Sequence, residues 1–171
     1  IVQARPETIH SKAEGNKMTI YKIDEIFADS LKKGGRVLAT GQAVGKRIGT
    51  GKVRLYRTYS EVLEGKRELR KLLESGMSKE EISSEMSVFE QGDVLVTEMT
   101  TPDWEPLMKQ ASLIITRKGG RTSHAAIIAR EFGIPAIVGC SDAMDLPNFS
   151  IVTGSCAEGD TGYVYSCLLY T

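Results

Sequence analysis

The 171-residue chain contains 41% hydrophobic and 26% charged residues, an ordinary composition for a globular protein that is long enough to bury a hydrophobic core. Its 22 basic and 22 acidic residues give a formal net charge of zero, which argues against nucleic acid or an anionic membrane surface as a partner. No apolar run approaches the ~20 residues that span a bilayer, and the N-terminus has no signal-peptide pattern.

The three cysteines, Cys140, Cys156 and Cys167, have no CxxC spacing, and an odd number cannot pair completely within one chain. Because the sequence contains only two histidines, it also offers no plausible zinc cluster. This pattern indicates reduced thiols and a cytoplasmic location. We therefore predict no metal ligands in this chain.

The N-terminal third begins with residues of polar, mixed composition and continues into strands. Residues from about Thr8 to Gly35 are interpreted as a linker with a possible short helix at Asp24–Lys33. Val37–Val44 and Lys52–Tyr56 have β character. The glycine-rich run GKRIGTG at Gly45–Gly51 has the spacing of neither a P-loop nor a dinucleotide fingerprint, so we predict a loop between these two strands.

The segment from Ser60 to about Phe89 is predicted to be helical. Gly76 ends a first helix, and Ser78 with Glu81 forms a capping box for a second. The charged run KRELRK favours a solvated helix face, with a docking surface for a neighbouring domain as the alternative. Apolar residues recur at helical spacing in the first helix: Val62, Leu69, Leu72 and Leu73.

A short strand, Val94–Thr97, precedes the next candidate site residue. Thr101 followed by Pro102 fits a helix N-cap with proline at the first helical position, and Trp104 in that helix is predicted to pack on the sheet. Thr100 lies at the carboxyl end of the strand, where open α/β sheets place their ligands. Thr100 is therefore a candidate site residue.

Two further strands enclose a turn and a helix. Ser112–Thr116 and Pro135–Gly139 are short and apolar, which is typical of buried strands. Gly119 and Gly120 allow a sharp turn in which the backbone can approach a bulky ligand. The connection predicts a βαβ unit.

The helix of this unit starts at a cap, either Thr122 or Ser123, and ends at Gly133 before Pro135. His124 therefore lies in the first helical turn. The apolar positions at helical spacing are Ala125, Ile128, Ala129 and Phe132.

The first turn of a helix favours a phosphoryl group, because unpaired backbone N–H groups and the positive end of the helix dipole point at it. Arg121 would add a formal charge, and Thr122 and Ser123 would add hydroxyl donors. A neutral His124 at this position could be phosphorylated on a ring nitrogen. From spacing alone, a surface or capping histidine is the alternative.

The C-terminal part is predicted to form a loop at Asp142–Pro147, a strand at Ser150–Thr153 and a turn into Tyr163–Tyr165. Glu158 and Asp160 lie in that turn. We interpret them as solvated turn residues rather than as metal or acid–base carboxylates.

The run GGRTSHAA at Gly119–Ala126 closely resembles the phosphohistidine signature of the PEP-utilising enzymes (PEP, phosphoenolpyruvate), in which the histidine is phosphorylated; this position is His124 here. Two further runs, VLVTEMTTPDWEPLMKQA at Val94–Ala111 and SCAEGDTGYVY at Ser155–Tyr165, resemble the PEP synthase branch of that family. The resemblance covers about Gly35 to Tyr165.

In related domains a threonine at the Thr100 position approaches the active histidine. Its hydrogen bond to one ring nitrogen would leave the other nitrogen as the nucleophile.

The resemblance implies an α/β fold of the swivelling β/β/α phosphohistidine type, with a small parallel βαβαβ core, flanking antiparallel strands and an inserted helical hairpin. The N-terminal IVQARPET resembles the closing segment of an ATP-grasp domain, whose glutamine and arginine contact ATP and correspond to Gln3 and Arg5. The implied organisation is a nucleotide-binding remnant with a linker (1–35), a phosphohistidine domain (36–166) with a helical insertion (60–90), and the start of a linker to a PEP/pyruvate-binding barrel (167–171).

The resemblance also implies a function: His124 would carry phosphoryl from ATP to pyruvate, giving AMP, PEP and phosphate in the full-length enzyme. Gly119, Gly120, Arg121, Thr122 and Ser123 would hold the phosphoryl group. Mg²⁺ would be bound by the other domains, and the full-length enzyme would be a homo-oligomer. The alternatives are the corresponding domain of pyruvate phosphate dikinase or of enzyme I of the sugar phosphotransferase system, and a non-catalytic interaction module. A Ser123/His124 hydrolase lacks an orienting acid.

Overall fold

The structure is a computed structural model that describes residues 36–85 and 88–166. The predictions for 1–35, including Gln3 and Arg5, and for 167–171 lie outside the described residues. Within the described part, no helix combines the length and apolar composition needed to cross a membrane.

Seven strands form one closed barrel with the spatial order β1-β5-β4-β3-β2-β6-β7. The central strands pair in parallel, β2 with β3, β3 with β4, and β4 with β5. The remaining pairs, β1 with β5 and β7 and β6 with β2 and β7, are antiparallel. The strands are β1 Val37–Val44, β2 Ile48–Tyr56, β3 Val94–Thr97, β4 Leu113–Thr116, β5 Ala136–Val138, β6 Ile151–Ser155 and β7 Thr161–Ser166.

The predicted mixed α/β class is confirmed, and the parallel strands with antiparallel neighbours are present. The closure of these strands into a barrel was not predicted. Closure depends on antiparallel pairing of β1 with both β5 and β7, and these contacts join parts of the chain more than 90 residues apart. Local sequence patterns do not encode such pairings.

In the described part of the chain, four α-helices accompany the barrel: α1 Tyr59–Glu74, α2 Lys79–Glu85, α3 Glu105–Met108 and α4 His124–Phe132. The predicted helical hairpin corresponds to α1 and α2. The capping box before α2 is confirmed, because Ser78 N donates to Glu81 Oε2 at 3.0 Å and Glu81 N donates to Ser78 Oγ at 3.2 Å. The helix predicted after Thr101 is a 3₁₀ turn, Pro102–Trp104, followed by the short α3.

Alternation along the strands separates two hydrophobic cores. Residues such as Val94, Val96 and Leu113 belong to the core inside the barrel. Leu95 and Ile114 belong to a second core beneath α1, α3 and α4, which we call the outer core. Successive side chains of a strand point to opposite faces, so each strand supplies both cores. The predicted core position of Trp104 is confirmed, because it is 3% exposed in the outer core.

The glycine-rich run at Gly45–Gly51 departs from its prediction as a loop. β2 already starts at Ile48, and Gly49 and Gly51 pair with β6. A Cβ at Gly49 would lie 2.2 Å from the carbonyl oxygen of Ser112, and one at Gly51 would lie 2.2 Å from that of Gly92. These glycines therefore permit a close approach of backbone within the sheet.

A buried ion pair joins β2 to the segment that returns from the helical insertion. Arg54 Nε donates to Asp93 Oδ2 at 2.9 Å, and the two side chains are 5% and 11% exposed. Arg54 also donates to the carbonyl oxygen of Val88, and Glu90 N donates to Asp93 Oδ2 at 2.9 Å. Both charges have hydrogen-bonded partners, which burial requires.

We expect Asp93→Ala to lower the free energy of unfolding by about 3 kcal/mol or more, because it leaves the buried Arg54 guanidinium without its counter-charge. Urea unfolding measures this loss. Glu98→Ala is the matched control, since it breaks the exposed Glu98–Arg117 ion pair and should cost much less. Equal losses in the two variants would contradict this assignment.

Among residues 36–85 and 88–166, the buried side chains of Cys140, Cys156 and Tyr165 have raised pKa values. Burial raises the pKa of the Cys140 and Cys156 thiols to about 11. Burial, together with the hydrogen bond that the Tyr165 hydroxyl donates to Glu158, raises the pKa of Tyr165. In each case the native state holds its proton more tightly than the unfolded chain does.

We expect the free energy of unfolding to fall as the pH rises from about 9 to about 11. Across this interval the unfolded chain loses thiol protons that the native state keeps, and the stability that those protons contribute below about pH 9 is progressively lost. Urea titrations over this range measure the slope. A Cys156→Ala variant should show a shallower decline; an identical slope would contradict the role of this thiol.

Candidate functional site

The candidate site lies beyond the carboxyl ends of the parallel strands β3 and β4. Thr97 and Thr116, the last residues of these strands, are register partners. The parallel contact continues beyond the strands through two backbone hydrogen bonds. Arg117 N donates to the Thr97 carbonyl at 3.1 Å, and Lys118 N donates to the Glu98 carbonyl at 2.9 Å. The two segments that leave the strands therefore start side by side. Thr100 lies on one of them and His124 follows on the other.

His124 is the first residue of α4, as predicted. Ser123 is the N-cap residue with extended backbone, and Gly133 ends the helix in the left-handed conformation. Ala125, Ala126 and Ala129 are buried in the outer core, which holds the helix against the sheet. The position of His124 is therefore determined by a packed helix rather than by a loop.

Thr100 contacts the imidazole ring of His124. The distance between Thr100 Oγ1 and His124 Nδ1 is 2.9 Å, within the range of a well-formed hydrogen bond. Thr100 is 5% exposed, and the His124 side chain is 25% exposed. The contact expected between these two residues is present, and it orients the ring through a buried partner.

The other ring nitrogen faces a residue that the sequence reasoning did not select. Glu105 Oε1 lies 3.4 Å from His124 Nε2, and the Glu105 side chain is 37% exposed. Glu105 is the first residue of α3, directly after Trp104, which packs edge-on against Tyr59 with ring centroids 5.2 Å apart. Only one feature of the sequence indicated Glu105: it is an acidic residue five positions after Thr100 and next to Trp104, which was predicted to pack on the sheet.

Ser123 and Thr122 have different environments. Ser123 Oγ donates to the Gly120 carbonyl at 2.6 Å and accepts from Ala126 N at 3.5 Å, so this hydroxyl caps the helix and closes the preceding turn. Thr122 is exposed. Of the two predicted capping residues, the structure selects Ser123.

Arg121 points toward the β6–β7 turn. Its Nη2 atom lies 3.1 Å from Oδ1 of Asp160, whose side chain is 92% exposed. Arg121, Lys46 and Arg130 line an open cleft of about 500 Å³. The structure thus places the Arg121 charge in contact with a carboxylate near this cleft, and its predicted contact with a phosphoryl group stays a prediction.

The glycine pair forms the turn before α4. Gly119 has a φ of +101°, and a Cβ there would lie 2.9 Å from Cβ of Ser123, so both conformation and space require glycine. Gly120 accepts the Ser123 hydrogen bonds through its carbonyl. This turn holds the N-cap in place.

The carboxylates of the last turn do not join the histidine. Glu158 accepts hydrogen bonds from the buried Tyr165 hydroxyl at 3.0 and 2.9 Å, so it is a partner of the core rather than a wholly solvated side chain. Among residues 36–85 and 88–166, no group of three or more His, Cys, Asp or Glu side chains is arranged to hold a metal ion.

The chain is similar to known proteins over almost its whole length. The chain is 49% identical over 170 residues to phosphoenolpyruvate synthase of Neisseria meningitidis serogroup B and 48% identical over 170 residues to phosphoenolpyruvate synthase of Escherichia coli K12, in each case across 99% of this chain. The model of the PEP-utilising enzyme mobile domain matches residues 89–159.

The mobile-domain match contains Thr100, Glu105 and His124, all within residues 89–159. The chain spans 18% and 17% of the length of the two relatives. Among solved structures, aconitase X of Thermococcus kodakaraensis in its holo-form matches with a TM-score of 0.46 and 14% identity, covering 74% of this chain and 96% of that chain. A likeness at this level carries no functional conclusion.

We expect Ser123→Ala to lower the free energy of unfolding by about 1 kcal/mol, because it removes the N-cap of α4. Thr122→Ala is the control and should change stability by less than about 0.5 kcal/mol, since that side chain is exposed. Urea unfolding of both variants measures the difference. A larger effect at Thr122 would contradict the cap assignment.

Proposed function

We propose that this chain is a phosphoryl-carrier domain in which His124 is transiently phosphorylated. The observation that carries the proposal is the setting of the imidazole ring: Nδ1 is bound to a buried hydroxyl at 2.9 Å, while the side chain remains 25% exposed at the start of a helix. A histidine held in one orientation and open to solvent is suited to covalent catalysis.

Nε2 is the nitrogen that we propose to react. Thr100 is 5% exposed and occupies Nδ1 at short distance. The partner of Nε2 is the more exposed Glu105, at 3.4 Å, a long and therefore weak hydrogen bond. A phosphoryl donor can displace a partly exposed carboxylate more easily than a buried hydroxyl.

The first turn of α4 would stabilise the phosphoryl group. Helix N-termini offer backbone N–H groups and the positive end of the dipole. We propose that the turn at Gly119 and Gly120 lets the group approach the backbone, and that Thr122 adds a donor. Arg121 would exchange its contact with the exposed Asp160 for the phosphoryl oxygens, since such surface ion pairs are weak.

In the whole enzyme, the proposed reaction is that of phosphoenolpyruvate synthase. His124 would take the β-phosphoryl group of ATP through a pyrophosphorylated intermediate and deliver phosphoryl to pyruvate, giving AMP, PEP and phosphate. Two transfers through one histidine replace a single difficult reaction. Neither transfer would be complete in this chain alone.

The proposed partners are an ATP-grasp nucleotide-binding domain and a PEP/pyruvate-binding barrel of the same enzyme, which would be a homo-oligomer. Residues 36–166 would form a swivelling phosphohistidine domain that visits both, with 1–35 and 167–171 as connections. Magnesium would act at the nucleotide-binding and barrel sites of these partners.

The TPDWEP and EGDTGYVY runs favour the phosphoenolpyruvate synthase branch over pyruvate phosphate dikinase and enzyme I. A non-catalytic interaction module would not need the oriented His124. A hydrolase with Ser123 as nucleophile is disfavoured, because its hydroxyl donates to the Gly120 carbonyl and is committed to the helix cap.

A chimaeric enzyme tests the proposal. This chain would replace the matched 170-residue region of the E. coli enzyme, and formation of PEP from ATP and pyruvate would be measured with magnesium. We expect activity in the chimaera and none in its His124→Ala variant. Thr100→Val should retain activity but slow phosphorylation of His124 roughly tenfold, the cost of about one hydrogen bond.

His10→Ala is the control for histidine removal and should leave the chimaera active. A folded chimaera that is inactive would contradict the proposed branch. A chimaera that stays active after His124→Ala would contradict the carrier role itself.

A further inference from the structure

Glu105 is placed to take part in the chemistry of His124, and its position is set by packing. Trp104 before it and Leu107 after it are 3% and 5% exposed in the outer core. The side chain thus starts from a fixed backbone and reaches Nε2 with Oε1 at 3.4 Å. A contact of this length in the absence of substrate is common for a catalytic proton acceptor and can shorten on binding.

The contact constrains where the imidazole proton lies. A carboxylate can only accept a hydrogen bond, so a neutral His124 that faces Glu105 through Nε2 must carry its proton there. Nδ1 then accepts a hydrogen bond from the Thr100 hydroxyl, whose Oγ1 is 2.9 Å away. Thr100 and Glu105 together select one tautomer.

This tautomer presents a problem for phosphorylation at Nε2, because a nitrogen that bears a proton has no free lone pair in the ring plane. The proton must leave before the bond to phosphorus can form. Among the described residues, Glu105 is the carboxylate in contact with that nitrogen.

We propose that Glu105 is a catalytic residue that accepts the Nε2 proton when His124 is phosphorylated and returns it when the phosphoryl group leaves. This inference rests on the proposed carrier function. In the forward step the Nε2–H proton first passes to Glu105 Oε1 and moves away with this carboxyl group, and the in-plane electron pair left on the nitrogen then forms a bond to phosphorus. The bond between phosphorus and the leaving atom of the donor breaks, and its electron pair stays on that atom.

The return of the proton completes the cycle. When an acceptor oxygen attacks the phosphoryl group, the N–P bond breaks with its electron pair on Nε2, and the protonated Glu105 supplies the proton. Uptake of this proton by the released electron pair restores the neutral imidazole. Glu105 therefore acts as base in one transfer and as acid in the next.

The experiment uses the chain itself and phosphoramidate, a small phosphoryl donor that needs no partner domain and whose nitrogen leaves as ammonia. His10→Gln leaves His124 as the only histidine, since the sequence has two. Intact mass spectrometry follows acid-labile phosphorylation with time at several donor concentrations. The parent and its Glu105→Gln variant are compared.

Glu105→Gln keeps the side-chain size and a hydrogen-bonding group but cannot accept the proton. We expect the maximal phosphorylation rate to fall about 100-fold, the usual contribution of a general base, with the half-saturating donor concentration unchanged. Asp103→Asn removes an exposed charge from the preceding turn and should label like the parent. Circular dichroism and urea unfolding confirm that each variant is folded.

The outcomes separate the two claims. If the parent labels and Glu105→Gln labels at the same rate or faster, Glu105 is not the proton acceptor and this inference fails alone. If the parent takes no phosphoryl group at His124, the carrier function fails and this inference fails with it.

A second measurement is independent of labelling. Long-range ¹H–¹⁵N spectra of the His10→Gln chain report the tautomer of His124. The inference predicts that the proton is on Nε2 in the neutral ring, and a neutral ring with its proton on Nδ1 would overturn it.

Discussion

The hydrogen bond between Thr100 and Nδ1 of His124 is the interaction on which the proposed site depends. It exists because β3 and β4 pair in parallel and end in register at Thr97 and Thr116, so the segments that follow leave the sheet together. A buried hydroxyl at 2.9 Å selects the orientation of the ring. The proposal that Nε2 is the reacting nitrogen follows from the occupation of Nδ1.

The surrounding fold supports this contact through rigid elements. α4 is packed on the outer core by its alanines, and its start is fixed by the Ser123 cap and the Gly119 turn. Beside the other ring nitrogen, the buried Trp104 anchors the short helix that carries Glu105.

Local signals in the sequence predicted much of this arrangement. Hydrophobic strands, the Gly133 stop and the Ser78–Glu81 capping box each act within a few residues, and the contact between Thr100 and His124 was expected from strand ends and family resemblance. The barrel closure, the in-strand glycines Gly49 and Gly51 and the contact of Glu105 with His124 were not. They depend on contacts between distant segments, such as the 19 residues that separate Glu105 from His124, which no short pattern encodes.

The most direct test of the carrier account is to locate the phosphate on the ring. After phosphorylation of a ¹⁵N-histidine-labelled chain, ³¹P and long-range ¹H–¹⁵N spectra identify the modified nitrogen. The account predicts a single acid-labile phosphate on Nε2 of His124, with Nδ1 still facing Thr100. A phosphate on Nδ1, or on any residue other than His124, would contradict it.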